Sequence, residues 1–190
     1  MKLMVNAFSS YAQPVQMNPE PLDLNQLIHD VVELHKQHHQ PLPITLDLDE
    51  SLQQITADPD RIRQILNNLI INTRDALAKT KHPKITICTR NMLQLESRFA
   101  ELSISDNGPG FPTNILDRIF EPYVTTKDKG TGLGLAIVKR IVEEHGGILW
   151  AENLARGGSA VTIQLPVDFV RHAGITDPTL KVSRLRAAER

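Results

Sequence analysis

Hydrophobic positions along the chain fall into two spacings. Leu24, Leu27, Ile28, Val31, Val32 and Leu34 stand mostly three and four apart, which predicts an amphipathic helix over 24–34. Asp23 or Asn25 is available as its N-cap. A second helix is predicted from Pro59 to about Thr80. Asp58-Pro59 supplies an N-cap followed by proline at the first helical position. At 100° per residue, Ile62, Ile65, Leu66, Leu69, Ile70, Thr73, Ala76 and Leu77 gather on one broad face. A third helix is expected from Thr131 to about Glu144, ending at His145-Gly146-Gly147, where glycine takes a left-handed C-cap. Five stretches instead read as strands, 43–49, 84–91, 98–105, 148–152 and 160–165, with apolar and polar residues alternating over 43–49 and 100–105. The second and third of these read as a hairpin through the polar connection 91–97, the last two as a pair joined through Gly157-Gly158.

The ends of the chain are less patterned. Leu3, Met4, Ala7, Phe8 and Tyr11 form one helical face too short to stand alone, so residues 1–13 are read as the last turns of a helix. Residues 14–21, which hold Pro14, Pro19 and Pro21, read as a linker. Residues 22–166 form the patterned domain, and 167–190 a tail to which no function is assigned.

Composition narrows the class. With 190 residues, 41% hydrophobic and 23% charged, the chain suits one soluble domain with a core of its own. A net charge of −1 gives no reason to expect nucleic acid or an acidic membrane surface as partner. The single cysteine, Cys88, excludes an internal disulfide and is read as a buried structural thiol. No apolar run reaches the length of a membrane span, and the N-terminus lacks a signal-peptide core. A cytoplasmic domain is therefore expected. His29, His35, His38 and His39 follow no ligand spacing and read as a solvated helix end.

Candidate chemistry lies in three places. Beside the apolar face of the second helix runs a stripe of Arg61, Gln64, Asn68, Asn72, Asp75 and Lys79. Two asparagines in register at the edge of a core cost stability unless their amides find partners. A neutral amide oxygen is also a suitable hard ligand for Mg²⁺. Asp106-Asn107-Gly108-Pro109-Gly110 follows directly on a strand. Gly130-Thr131-Gly132-Leu133-Gly134-Leu135 runs into a helix, whose N-terminal N–H groups and dipole form a natural phosphate seat. That second loop lacks the lysine of a P-loop and the spacing of the dinucleotide-binding fingerprint.

Taken together these segments resemble the catalytic and ATP-binding domain of sensor histidine kinases, the kinase branch of the Bergerat-type ATPases. The N box corresponds to Gln64–Asn72, the G1 box to Asp106–Gly110 and the F box to Phe120-Glu121-Pro122-Tyr123 followed by Thr125-Thr126-Lys127. The G2 box corresponds to Gly130–Leu135. All four stand in the family's order, and the resemblance covers about residues 20 to 166. Met4–Ala12 is similar to the end of a dimerisation and histidine-phosphotransfer helix, and with Pro21–Asn25 is most like the NtrY and NtrB nitrogen-regulation group.

The resemblance implies an α/β sandwich, a mixed sheet of about five strands packed on three helices, with an ATP lid. It implies ATP and Mg²⁺ as cofactors, with Asp106 accepting from the adenine amino group and Gly108 and Gly110 allowing close approach beneath the base. Asn72 would coordinate Mg²⁺, Asn68 would orient the metal's waters or the γ-phosphate, and Lys127 would neutralise phosphate charge. Residues 123–129 would form the lid, with Phe120 and Tyr123 anchoring its hinge, while the N–H groups around Gly132, Leu133, Gly134 and Leu135 hold the phosphates. Asp75, Thr126, Gly130, Thr131 and Ser159 join the expected ATP contacts. The implied partners are a histidine-phosphotransfer domain and a response regulator receiver domain, within a homodimeric, membrane-anchored full-length protein.

Hydrolytic relatives carry a glutamate where this chain has Asn68, which cannot take a proton; that favours transfer to an imidazole over hydrolysis. Thr73 stands where the family commonly has alanine and is expected to crowd the pocket. Asp75 stands where many members have a basic residue. The family's phosphoacceptor box surrounds none of the seven histidines, so the acceptor is expected on another segment. A Bergerat-type hydrolase and a non-catalytic nucleotide sensor are the alternatives.

Overall fold

The computed structural model describes residues 17–36, 43–95, 97–127 and 130–168. The helix expected over 1–13, His38, His39 and most of the 167–190 tail lie outside the described residues. Among those described, the chain runs β1 (Glu20–Leu22), α1 (Leu24–Lys36), β2 (Ile44–Asp47), β3 (Ile55–Ala57), α2 (Pro59–Ala76), β4 (Ile85–Gln94), β5 (Ser97–Asp106), α3 (Gly134–Glu144), β6 (Ile148–Asn153) and β7 (Ser159–Pro166). A 3₁₀ turn at Leu116–Arg118 lies between β5 and α3.

The main sheet has the order β2-β4-β5-β7-β6, with β2 parallel to β4 and the other neighbours antiparallel. Side chains alternate across it as the period of two requires. On β5, Ala100, Leu102, Ile104 and Asp106 are buried, while Glu101, Ser103 and Ser105 are half-buried. The buried set joins one core with the apolar faces of the three helices. From α2 alone Ile62, Ile65, Leu66, Leu69 and Ile70 are at most 2% exposed, each such burial contributing about 1.5–3 kcal/mol. Asp106 shares the core-facing parity of Ile104, which is how β5 carries a carboxylate to the inner edge of the sheet.

The expected caps form. Asp23 Oδ1 accepts from Gln26 N–H at 2.9 Å, and Asp58 Oδ1 accepts from the N–H groups of Asp60 and Arg61 at 3.1 and 3.2 Å. At the far end of α3, Gly146 takes φ 70°.

Several expectations need correction. Of the expected linker, residues 18–21 are tied to the domain: β1 pairs antiparallel with β3, and Asn18 N–H donates to Asp58 Oδ2 at 2.9 Å, while 14–16 lie outside the described residues. At the other end order continues past Pro166, because Val167 N–H donates to Arg98 O and Val167 O accepts from Thr56 N–H, at 3.0 and 2.8 Å. The second helix stops at Ala76 and the third begins at Gly134 rather than Thr131. Leu34 is 59% exposed and His35 is buried instead. His35 Nε2–H donates to Asn67 Oδ1 at 2.8 Å and its Nδ1 accepts from Arg74 at 3.1 Å, so it ties α1 to α2. Cys88 is half-buried rather than buried, donating to Asp47 Oδ2 at 3.1 Å. Partial burial together with that carboxylate pushes the thiol pKa up.

Candidate functional site

The C-terminal half of α2, the loop after β5 and the segment before α3 enclose a cleft of about 650 Å³, a volume suited to a small-molecule ligand. Its two ends are built differently.

At one end, Asp106 closes β5 with both carboxylate oxygens engaged. Oδ2 accepts from Ser159 Oγ and Oδ1 from Gly108 N–H, each at 2.8 Å. Asp106 and Ser159 are buried, and Ser159 lines the cleft. An ionised carboxylate only accepts, so a further partner must be a donor, as an exocyclic amine is. The approach is close because residue 158 is glycine. A Cβ there would stand 1.9 Å from Asp106 O, at φ +91°.

The loop after Asp106 is held by two asparagines acting on backbone. Asn153, at the end of β6, donates from Nδ2 to Phe111 O at 2.8 Å and accepts from Phe111 N–H at 2.7 Å. Asn107 donates to His82 O and accepts from Lys84 N–H, at 2.7 and 2.8 Å. Their roles are not visible in the sequence, since their partners are main-chain groups 23 to 42 residues away.

At the other end, the stripe on α2 meets the start of α3. Asn68 Nδ2 donates back to Gln64 O at 2.9 Å. A Cβ on Gly134 would lie 3.3 Å from Asn68 Oδ1 and 3.4 Å from Asn72 Nδ2, so both amides face the beginning of α3. Leu133, the N-cap of α3, makes no side-chain cap bond, and Leu133, Gly134 and Leu135 line the cleft. First-turn N–H groups without a cap form an anion seat. Lys127 Nζ donates to Asp75 Oδ2 at 2.6 Å and to Asn72 Oδ1 at 3.2 Å.

The segment carrying Lys127 is fastened by backbone. Tyr123 N–H donates to Gly132 O at 2.9 Å, and Tyr123 itself takes φ 66°, a strained conformation for an aromatic residue. Any Cβ at Gly132 would meet the Tyr123 backbone at 2.6 Å. The Tyr123 ring is 65% exposed, so its side chain does not pack as an anchor, whereas half-buried Phe120 rests against the core.

The cleft lining thus gathers Asn68, Asn72, Asp75, Gly110, Thr126, Lys127, Gly130 through Leu135 and Ser159. Asp106 lies behind Ser159, to which it is bonded, while Gly108, Phe120 and Tyr123 are outside the lining. Thr73 is also outside it, on the flank of α2, and does not crowd the cleft.

His145 connects the two helices that wall the phosphate-facing end. Its Nδ1–H donates to Ile141 O at 2.8 Å and its Nε2 accepts from Asp58 N–H at 3.0 Å. That arrangement requires the neutral ring. Burial pushes the imidazole pKa down, against the opposing influence of the Ile141 carbonyl and the nearby Asp58 charge.

The donor set suits a hard cation. Asn72 presents an amide oxygen on which an ammonium already stands. Among the described residues no group of three His, Cys, Asp or Glu could hold a metal. A cation at Asn72 would therefore draw most of its shell from phosphates and water, as Mg²⁺ does.

Comparison with known proteins agrees with this architecture. Residues 57–168 match the family described as histidine kinase-, DNA gyrase B-, and HSP90-like ATPase. The chain is 34% identical over 170 residues to the sensor histidine kinase ZraS of Escherichia coli strain K12, an alignment covering 88% of this chain and 35% of ZraS. It is 32% identical over 174 residues to the sensory histidine kinase/phosphatase NtrB of Vibrio alginolyticus, covering 88% of this chain and 49% of NtrB. Among solved structures, the catalytic domain of the histidine kinase ThkA superposes with a TM-score of 0.68 at 30% identity, covering 81% of this chain and 97% of that domain. Full-length ShkA in complex with AMPPNP gives 0.70 at 28% identity, over 88% of this chain and 35% of ShkA. ThkA in complex with the response regulator protein TrrA gives 0.72 at 27% identity, over 87% of this chain and 47% of that one. No helix among the described residues is long and apolar enough to cross a membrane. The chain spans only 35% of ZraS and 49% of NtrB, yet the fold, the family match and the near-complete coverage of an isolated kinase domain agree: it belongs to the histidine kinase-, DNA gyrase B- and HSP90-like ATPase family, and within it resembles the catalytic domains of sensor histidine kinases.

Proposed function

We propose that this chain binds ATP in the cleft and transfers its γ-phosphoryl group to a histidine on a separate helical domain. One observation carries the reading. A single cavity runs from Ser159, whose hydroxyl is bonded to the buried Asp106 carboxylate, at one end to the Asn72 amide oxygen, the Lys127 ammonium and the uncapped start of α3 at the other. Adenine, through its amino group, fits the first end, and a metal-bound triphosphate fits the second. The ShkA structure contains AMPPNP, which supports a nucleotide here.

In the transfer, an imidazole nitrogen forms a bond to the γ-phosphorus as the bond to the ADP oxygen breaks. Asn68 faces this region with an amide whose Nδ2 is committed to Gln64 O. It has no basic site to activate a water. Catalysis then rests on positioning and charge neutralisation: Lys127 on the phosphates, the α3 N–H groups on their oxygens, and Asp106 fixing the base. Mg²⁺ held by Asn72 would supply further neutralisation of the phosphate charge.

The remaining partners follow from relatives. ThkA forms a complex with a response regulator, and for this chain a receiver domain is the expected destination of the phosphoryl group. The full-length protein is then a membrane-anchored homodimer that carries its phosphoacceptor on the helical domain.

The test mixes this chain and γ-labelled Mg-ATP with a separately made helical segment bearing the acceptor histidine. Acid-labile label is expected on the segment and is lost with Asp106→Asn. Free phosphate with no labelled segment would replace the kinase reading with hydrolysis. Label undiminished by Asp106→Asn would displace the site.

A further inference from the structure

Among the described residues lining the cleft, Asp75 is the only acid and Lys127 the only base. They are paired at 2.6 Å, with side chains 48% and 39% exposed. An ion pair that open to water contributes little to stability, so its position matters more than its strength. The third partner gives that position meaning: Lys127 Nζ also donates to Asn72 Oδ1 at 3.2 Å. Asn72 and Asp75 lie three residues apart on α2 and so share a face. The ammonium is therefore held by the carboxylate on the one amide oxygen that would serve a metal.

We infer that Asp75 is a specificity-determining residue that makes the site select metal-bound over metal-free nucleotide. This rests on the ATP reading of the cleft. Before nucleotide arrives, the acid and base cancel. When Lys127 moves to the phosphates, Asp75 keeps a full negative charge beside them and loses its partner. For metal-free ATP, with about four negative charges near neutral pH, that carboxylate is repulsive at close range. For Mg-ATP, Asn72 Oδ1, released by the ammonium, would hold the metal, whose positive charge would offset that of Asp75. The cost of the exchange thus falls on the nucleotide that comes without a metal. Asp106, the other carboxylate nearby, is buried behind Ser159 and bonded on both oxygens, so it does not share this role.

The test measures the dissociation constant of ATP by calorimetry, once with excess chelator and once with Mg²⁺, on the full chain and on Asp75→Asn, Asp75→Ser and Lys127→Ala. For Asp75→Asn, metal-free ATP is expected to bind about fivefold tighter and Mg-ATP to change less than about twofold, so the metal preference collapses by their ratio. Asp75→Ser should behave alike. Lys127→Ala should weaken both forms, and the double variant with Asp75→Asn should recover the metal-free form in particular. Asp75→Asn and Asp75→Ser shifting both forms by one common factor, or neither form, would overturn the inference while leaving the ATP reading intact. Failure of the unaltered chain to bind either form, with Asp106→Asn equally silent, would overturn both.

Discussion

The two ends of the cleft solve the same problem, holding polar groups ready for a ligand, in opposite ways. Around Asp106 every group is bonded, and Asp106, Gly158 and Ser159 are buried: two acceptor bonds on the carboxylate, a two-bond amide clamp from Asn153 on Phe111 at the rim, and a glycine at 158 pressed against the strand. Around Asn72 the groups are part-exposed, and their bonds are to one another or not yet made. Buried polar networks are rigid because breaking one partner leaves the other unsatisfied at full cost. Exposed ones exchange freely because water stands in for any partner that leaves. A nucleotide needs both. The base is one rigid shape to be matched, whereas the phosphates bring a metal and must be released as a different species once transfer is complete.

The contrast can be broken most severely at Gly158. Gly158→Ala would place a methyl 1.9 Å from Asp106 O at φ +91°; we expect a loss of roughly 3 kcal/mol or more in urea unfolding. A variant as stable as the parent would mean that this end is not tightly built. Next is Asp106→Asn, which removes a charge-assisted acceptor of about 1.5–3 kcal/mol. ATP affinity should fall roughly 10- to 100-fold in calorimetry. Asn153→Ala removes both clamp bonds on Phe111 and should cost about 1–2 kcal/mol of stability. A few-fold rise in the KM for ATP is expected with it, and an unchanged urea midpoint would contradict the clamp.

A weaker effect is expected from pH. His145 must be neutral to accept from Asp58 N–H, and burial holds its folded pKa below the ordinary value near 6.5. The unfolded chain therefore binds the extra proton first. Stability is full above that ordinary value and declines as pH falls from it toward the folded pKa. His145→Gln, which keeps an acceptor, should flatten this decline in urea midpoints measured between about pH 7 and 5; an identical slope would assign it elsewhere. Smallest is the effect of Asp75→Asn on stability, within about 0.5 kcal/mol because the pair is exposed. A larger loss would make Asp75 part of the fold rather than of the exchange.

How much of this could be read in the sequence follows the same division. The helices and the main sheet were legible because each buries a continuous face, so period 3.6 or 2 is imposed on ten or more residues of α2, β4 and β5. The two-stranded sheet was not, because Glu20–Leu22 and Ile55–Ala57 are three residues each, too short to show a period, and the first has Pro19 before it and Pro21 within it. His35 was misread because burial at a helix end is decided by Asn67 and Arg74, about 32 and 39 residues away. The glycine loops and the two α2 asparagines announced a cleft. Asn153 and Asn107 did not, since an amide that clamps a distant backbone leaves no local pattern. The Asp75–Lys127 pair was invisible for a similar reason: the two lie 52 residues apart, and only the fold places the lysine over the helix.

The most direct test of the two-ended cleft is amide hydrogen exchange, residue by residue, with and without Mg-ATP. Gly108 and Phe111 N–H groups, bonded to Asp106 and Asn153, should be slow to exchange before nucleotide is added and little changed after. Those of Gly134, Leu135 and Ala136, in the uncapped first turn of α3, should exchange fast at first and slow sharply on binding. Protection that appears at both ends together, only with nucleotide, would contradict the account, because the base-binding end would then be assembled by the ligand rather than waiting for it.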